Sequence, residues 1–261
     1  VKRSTKRRLR HGALYALLLG AVAAIALLAD WKAIQTNFLD KDVLASIWPE
    51  IVTEGARNTV VYTAIAFVGG LVLALALALM KLSPVAPYRW IATAYIEFFR
   101  GLPVLIVIIA FAFAVPIAFG STLPGGSRGA AVIALIAVSA AYMAETLRAG
   151  IQAVPKGQIE AARSLGMSET RTLVSVVLPQ AVRIVIPPLT NEFVLLLKDT
   201  SLIQVAGVGL GESELTNFAS DNLNITSNGT PLLAAAILYL IITLPLTRVV
   251  AYLERRTQKA R

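Results

Sequence analysis

Pro155-Lys156-Gly157-Gln158-Ile159-Glu160-Ala161-Ala162-Arg163-Ser164-Leu165-Gly166-Met167-Ser168-Glu169-Thr170-Arg171 is a polar stretch enclosed by apolar ones, and its punctuation predicts helix, tight turn, helix. Pro155 suits a first helical turn, Glu160 to Leu165 favours helix, and Gly166 supplies the left-handed residue that closes it. Ser168 then caps a second helix running through Glu169 to Val177. A glycine-containing turn between helices is also the form of a DNA-reading helix-turn-helix. Here membrane-length apolar runs flank the pair on both sides, so it is expected to lie against a bilayer rather than on nucleic acid.

Outward from this segment the chain is dominated by apolar runs. They span Gly12 to Ala29, Val60 to Met80, Leu102 to Phe119, Gly129 to Ala144, Ile184 to Leu197 with interruptions, and Leu232 to Leu246. Most approach the roughly 20 residues that cross a 30 Å hydrocarbon core. Of the 261 residues 57% are hydrophobic and 15% charged, where a soluble domain is about half apolar and a quarter charged. The expected fold class is an all-α membrane protein with six transmembrane helices. The absence of cysteine excludes disulfides, thiolate zinc sites and thiol nucleophiles.

The net charge of +9 is carried by residues beside the ends of apolar runs, a pattern of membrane orientation and not of a nucleic-acid face. Lys2, Arg3, Lys6, Arg7, Arg8 and Arg10 precede the first run and place the amino terminus in the cytoplasm. A signal peptide begins in the same way, but Ala29-Asp30-Trp31 is a poor cleavage site, so the first run is read as a retained anchor. Alternating six spans puts Lys81 and Arg89, then Arg148 to Arg171, then Arg248 to Arg261 on the cytoplasmic side. The outward connections are acidic: Asp30 to Asn58 carries Asp30, Asp40, Asp42, Glu50 and Glu54, and Gly207 to Pro231 carries Glu212, Glu214 and Asp221 without Lys or Arg. Trp31 and Trp48 suit interfacial anchors. Asn224 and Asn228 fit glycosylation sequons, which carry no meaning in a bacterial source.

Three further stretches give the chain a family resemblance: Arg100-Gly101-Leu102-Pro103, Ala141-Tyr142-Met143-Ala144-Glu145-Thr146-Leu147-Arg148-Ala149-Gly150 and Pro187-Pro188-Leu189-Thr190-Asn191-Glu192-Phe193-Val194-Leu195-Leu196-Leu197-Lys198-Asp199-Thr200-Ser201-Leu202. With Glu160-Ala161-Ala162, Gly166 and Leu178-Pro179, which are similar to the EAA loop, they resemble the polar amino acid permeases of ABC importers, the histidine and glutamine transporter type. The likeness covers about residues 55 to 252 and departs at Leu102, where many relatives have Thr. It implies a type I importer (MetI-like) five-helix core with an added N-terminal helix. The expected organisation is a basic cytoplasmic tail (1–11), an N-terminal transmembrane helix (12–29), an external connection (30–56), the permease domain (57–252) with its coupling segment (150–179), and a cytoplasmic tail (253–261). By the same resemblance Glu160, Ala161, Ala162 and Gly166 couple to a cytoplasmic ATPase. The implied partners are two ATPase subunits that bind ATP and Mg, a second permease subunit, an external amino-acid-binding protein and membrane lipid. The implied location is the bacterial inner membrane with both termini cytoplasmic.

Charge inside an apolar segment costs roughly 2.5 to 3.5 kcal/mol at mid-bilayer on insertion scales, so Glu192, Lys198 and Asp199 require a role. Seven residues make nearly two helical turns, which stacks Glu192 with Asp199 and Asn191 with Lys198. A zwitterionic amino acid needs anionic acceptors for its ammonium and a cationic or amide donor for its carboxylate, and this face carries both. The resemblance implies substrate contacts on this span, at positions matched by Glu192, Lys198 and Asp199 and, more weakly, Asn191. A plain ion pair between Lys198 and Asp199 is the competing explanation. Pro187-Pro188 is expected to kink or interrupt the span. Glu145 and Arg148 are spaced to pair on one helix, and Arg100 to snorkel at a membrane boundary or guard a gate.

Enzymatic readings find little support. His11 is the single histidine, and the chain has no HExxH, GxSxG or Walker motif. Gly207-Val208-Gly209-Leu210-Gly211 lacks the Lys-Ser/Thr ending of a phosphate loop and reads as a turn. ATP in an ATP-driven system is therefore bound by another subunit, and this chain needs no cofactor of its own. The remaining alternative is an ion-coupled carrier or channel, with the buried Glu, Lys and Asp relaying protons.

Overall fold

The computed structural model describes residues 2–209 and 211–259, and the side chains of 11–209 and 211–256. The side chains of the basic cluster before His11, and those beyond Arg256, lie outside the described residues. Among the described residues all regular structure is helical.

Helix α1 (Lys2–Leu28) is followed by two short helices, α2 (Trp31–Phe38) and α3 (Lys41–Ile47), each started by an aspartate. Asp30 Oδ1 accepts the amide of Ala33 at 2.9 Å, and Asp40 Oδ1 accepts those of Asp42 and Val43 at 2.9 and 3.2 Å. These bonds satisfy amides that have no partner inside the helix. A π-helical turn, Ile51–Ala56, then runs into α4 (Arg57–Leu82), so that Ile51–Leu82 is one apolar path of 32 residues.

The next span is broken by its sequence. Helix α5 (Ala86–Gly101) stops at Leu102, whose φ of −107° and ψ of 139° are extended. Proline disfavours the helical conformation in the residue before it and lacks an amide to continue the ladder. Pro103 thus ends α5, and the chain resumes as α6 (Val104–Ile109), a π turn (Ala110–Ala114) and α7 (Val115–Phe119), at 106° to α5. Among the described residues five helices are long and apolar enough to cross a membrane, and there are six spans if this bent pair counts as one.

Helix α8 (Gly126–Gln152) is the central element, with two-thirds of its apolar window buried. Its buried face is mostly small, including Ala130, Ala131, Ala134, Ala137, Ala140, Ala141 and Ala144. Helix α4 meets it with Ala66, Ala74 and Gly70; a Cβ on Gly70 would overlap Ser139 Oγ and lie 2.7 Å from Met143 Cε. Small residues let backbones approach closely, which is how helices gain dispersion energy where lipid is as apolar as the side chains.

Beyond α8 come α9 (Lys156–Ser164), α10 (Glu169–Thr172), a π turn (Leu173–Val177) and α11 (Leu178–Asp199). A 3₁₀ stretch, Thr200–Ala206, completes an apolar path of 38 residues from Glu169. The expected interruption at Pro187-Pro188 does not occur, since α11 runs through both. Membrane helices tolerate proline where neighbouring helices support the segment, and α11 packs against both α8 and α13. Helices α12 (Leu215–Thr226) and α13 (Thr230–Lys259) end the described chain. In α1 every residue from His11 to Leu28 is exposed.

A polar cluster ties the start of α12 to α4, α8 and α13. Glu214 is fully buried, accepting the amides of Thr216 and Asn217 at 2.7 Å each and the Tyr239 hydroxyl at 2.9 Å. Asn58 donates to the carbonyls of Gly211 and Ser213, Tyr62 donates to that of Glu212, and Arg128 pairs with the Glu212 carboxylate at 2.8 Å. Loss of solvent raises the Glu214 carboxyl above its ordinary range, and the hydrogen bonds it accepts oppose this only in part.

Two outcomes follow from this packing. Gly70→Leu forces α4 from α8 and is expected to lower stability by about 1–3 kcal/mol, the usual range for overpacking, measured as a fall in melting temperature of the detergent-solubilised protein. Because Glu214 is raised, the native state holds its proton more tightly than the unfolded state, so its contribution is greatest at low pH and falls as pH rises through the raised value. The stability advantage of the native protein over Glu214→Gln should therefore narrow as pH rises above the ordinary carboxylate range, and a widening gap in melting temperature would contradict this.

Candidate functional site

Helices α6, α8 and α11 enclose a cavity of about 330 Å³. Val104, Leu135, Val138, Leu195 and Leu196 give it apolar walls, while Ser139, Tyr142, Glu192 and Asp199 supply its polar groups. An apolar pocket with a few convergent polar groups is the usual form of a small-molecule site.

Each polar group is placed by a feature already described. Glu192 and Asp199 stand two turns apart on the same face of α11. Neither carboxylate has a hydrogen bond or ion pair within the described residues, although Glu192 is repelled by Asp199 and attracted by Arg100. Ser139 and Tyr142, three residues apart on α8, face them. The Arg100 guanidinium, on the last turn of α5, lies 5.5 Å from the centre of the Tyr142 ring. Phe193, beside Glu192, packs edge-on against Phe67 of α4 at 5.2 Å and helps fix this part of α11.

Of the four residues singled out on α11, the fold brings Glu192 and Asp199 into the cavity. Asn191 and Lys198 are exposed and are not part of its wall. The helical spacing correctly made two rows, but which row faces inward depends on how α11 is turned against α8. Ser139 and Tyr142 were missed as lining residues because a serine and a tyrosine in an apolar helix carry no charge to mark them. Their spacing of three on one face was the available signal.

A second locus lies where α9 and α10 meet the span ends. The turn between them is a Schellman motif: Met167 N donates to the Ala162 carbonyl at 3.2 Å and Gly166 N to that of Arg163 at 3.0 Å, with Gly166 at φ +81°. This geometry needs a left-handed residue, which glycine adopts without steric penalty. Ser168 Oγ accepts the Arg171 amide and starts α10. Ala162 is buried and Ile159 packs against Val154, Val177 and Ala181, whereas Glu160, Ala161 and Leu165 face outward, Leu165 with 84% of its surface free. The pair is thus fastened by an apolar underside to the end of α8 and the start of α11.

Close to this locus, Glu145 accepts two hydrogen bonds from Arg148 at 2.7 and 2.9 Å and is also paired with Lys81 of α4. The expected Glu145–Arg148 pair is present, and the additional lysine makes it a clamp between two spans. Among the described residues no group of three or more His, Cys, Asp or Glu is placed to hold a metal ion.

A multi-span helical bundle with a charged central cavity and a helical hairpin bolted to its span ends defines a membrane transport subunit. The chain belongs to the family of binding-protein-dependent transport system inner membrane components, which it matches over residues 68–259. It is 38% identical over 207 residues to the probable glutamine ABC transporter permease protein GlnM of Bacillus subtilis, covering 79% of this chain and 93% of that one. It is also 38% identical over 220 residues to the L-cystine transport system permease protein TcyB of the same organism, covering 83% and 90%. The crystal structure of an amino acid ABC transporter with histidines superposes with a TM-score of 0.75 at 34% identity, covering 83% of this chain and 98% of that one. The protein is accordingly a non-catalytic permease subunit, built on the type I importer fold.

Proposed function

We infer that this chain is the permease subunit of an ATP-driven importer for polar amino acids, and that the cavity between α6, α8 and α11 is where the amino acid passes. The relatives, named for glutamine and for L-cystine, support the substrate class. The charge distribution supports a bacterial inner-membrane location with both chain ends and the α9–α10 hairpin in the cytoplasm. Two ATPase subunits that bind ATP and Mg, a second permease subunit and an external amino-acid-binding protein complete the machine. The permease domain is assigned to 57–252, its coupling segment to 150–179, the added helix to 12–29, the external connection to 30–56, and the tails to 1–11 and 253–261.

The observation that carries this reading is continuity. The helical path from Glu169 to Ala206 begins at the hairpin and contains both cavity carboxylates. Glu160 and Leu165 face outward for an ATPase groove, while Ile159 packs the hairpin against Val154, Val177 and Ala181 at the span ends. ATP-driven closure of the ATPases then tilts α11 and carries Glu192 and Asp199 with it, a rigid-body motion of packed helices. In the cavity the two carboxylates accept the substrate ammonium and polar side-chain donors. Lys198 and Asn191, exposed on the adjacent row, serve the permease–permease interface or a later stage of the path.

Glu160→Arg is expected to abolish ATP-dependent uptake in proteoliposomes and substrate-stimulated ATP hydrolysis, with insertion intact; undiminished uptake removes the docking role. Asp199→Ala should weaken the coupling of substrate to ATP hydrolysis by about tenfold, the loss expected for one charged hydrogen bond, while leaving assembly with the ATPase unchanged. Uptake that persists without ATP and follows an ion gradient would instead favour an ion-coupled carrier.

A further inference from the structure

Helix α2, the first element after α1, is fastened at one end to the corner between α12 and α13. There the Gly229 amide donates to the Asn37 carbonyl at 2.7 Å, the Asn228 side-chain amide donates to the Thr36 carbonyl at 2.9 Å, and the Asp40 amide donates to Thr230 Oγ1 at 3.0 Å. A Cβ on Gly229 would lie 2.6 Å from the Phe38 ring, so this end closes tightly only with glycine. Toward Asp30 a second cavity, of about 810 Å³, separates the two surfaces, with Ile34 and Phe38 on one wall and Leu223 and Leu232 on the other.

Its position matches the depth of lipid headgroups. Asp30 stands two residues beyond the end of α1 at Leu28, and Leu232 lies in the first turn of α13; both helices are long and apolar enough to cross a membrane. Trp31, whose indole donates to the Ala26 carbonyl at 2.7 Å, is of the residue type that gathers at this boundary. From Asp30 back along α1, every residue from Leu28 to His11 is exposed. No part of this chain covers that flank, and lipid chains lying along it end at the cavity.

The polar lining discriminates among headgroups. Anionic lipids are read by clusters of Lys and Arg, and among the described residues that line this cavity none is Lys, Arg or His. Its charge is the Asp30 carboxylate. Oδ1 accepts the Ala33 amide at 2.9 Å, and Oδ2 has no partner among the described residues. Asn37 and Asn228 engage their side-chain amides with the carbonyls of Ala33 and Thr36, whereas the side chains of Asn224 and Ser227 make no hydrogen bond among the described residues. Ser227 is also the single described non-glycine residue at positive φ, 51°, a conformation that glycine adopts without strain. Serine here brings to the cavity wall a hydroxyl that glycine would not.

An acceptor for an ammonium and two donors for a phosphate thus border one cavity with apolar walls. We propose that this cavity binds a zwitterionic aminophospholipid of the phosphatidylethanolamine class, with Asp30 Oδ2 accepting from the ammonium and the Asn224 amide and Ser227 hydroxyl donating to the phosphate. Both contacts are charge-assisted, the stronger kind of hydrogen bond. The lipid fills the wedge between α2 and the α12–α13 corner and keeps the exposed α1 beside the bundle. This is independent of the assignment of the cavity between α6, α8 and α11 as the substrate path.

The test is native mass spectrometry of the delipidated importer complex in detergent, titrated separately with short-chain phosphatidylethanolamine, phosphatidylcholine and phosphatidylglycerol. Phosphatidylethanolamine should bind about tenfold more tightly than the other two, the discrimination of one charge-assisted hydrogen bond. Asp30→Asn keeps the helix cap, since asparagine caps as well as aspartate. It should weaken phosphatidylethanolamine by about tenfold and not weaken phosphatidylglycerol, which erases the preference. Ser227→Gly relieves the positive φ and should lower phosphatidylethanolamine affinity by about threefold with no fall in melting temperature, so that misfolding is not the cause. No preference in the native complex, a preference that survives Asp30→Asn, or an equal loss for all three lipids overturns the proposal. Glycerophosphoethanolamine, the same headgroup without chains, distinguishes the source of the ligand. It should compete at least about a hundredfold more weakly than the lipid, because buried methylenes contribute to affinity; equal competition overturns the lipid in favour of a soluble zwitterion.

Discussion

The close approach of α8 to its neighbours is the constraint on which the rest of the structure depends. In a bilayer, lipid tails compete equally for apolar side chains, so helices adhere through tight packing and not through exclusion of water. Gly70 leaves no room for a Cβ against α8, and a Cβ on Gly150 would overlap Val185 of α11. These contacts hold α4 against the middle of α8 and α11 against its last turn. The cavity lies beside this seam, lined from α8 by Leu135, Val138, Ser139 and Tyr142.

That arrangement also explains how a distant event reaches the cavity. The α9–α10 hairpin is attached through Ile159 to Val154, Val177 and Ala181, an apolar joint at the junction of α8 and α11. Gly166 fixes its angle through the Schellman turn, and Glu145 clamps α8 to α4 just above it. A π turn, Leu173–Val177, joins the hairpin to α11. At the far end of that helix the chain changes character, with a 3₁₀ stretch and glycines at positive φ, Gly207 and Gly211, before the buried Glu214 network begins. Tight 3₁₀ segments often mark hinges, and this one separates the two cavity carboxylates from the polar cap around Glu214.

The broken span contributes differently from the continuous one. Pro187-Pro188 leaves α11 intact, whereas the single Pro103 ends α5. Context decides which effect prevails. Leu102 before Pro103 is extended, whereas α11 stays helical through both of its prolines while packed against α8 and α13. The same residue type therefore makes a lever in one place and a corner in another.

Much of this was legible in the sequence. Apolar runs gave the membrane class because hydrocarbon admits only segments that satisfy their own backbone, and the hairpin was readable because Pro155, Gly166 and Ser168 act locally on φ and ψ. The pairing of Glu145 with Arg148 was likewise a matter of spacing along one helix. The spacing on α11 marked Glu192, Asp199, Asn191 and Lys198 together, but only the packed structure turned the first two toward the cavity, since rotation about a helix axis is set by its neighbours. Tyr142 under Arg100, Lys81 against Glu145 and Arg128 against Glu212 join residues far apart in the chain. No local rule announces such contacts, because they arise when close-packed helices bring remote side chains within reach.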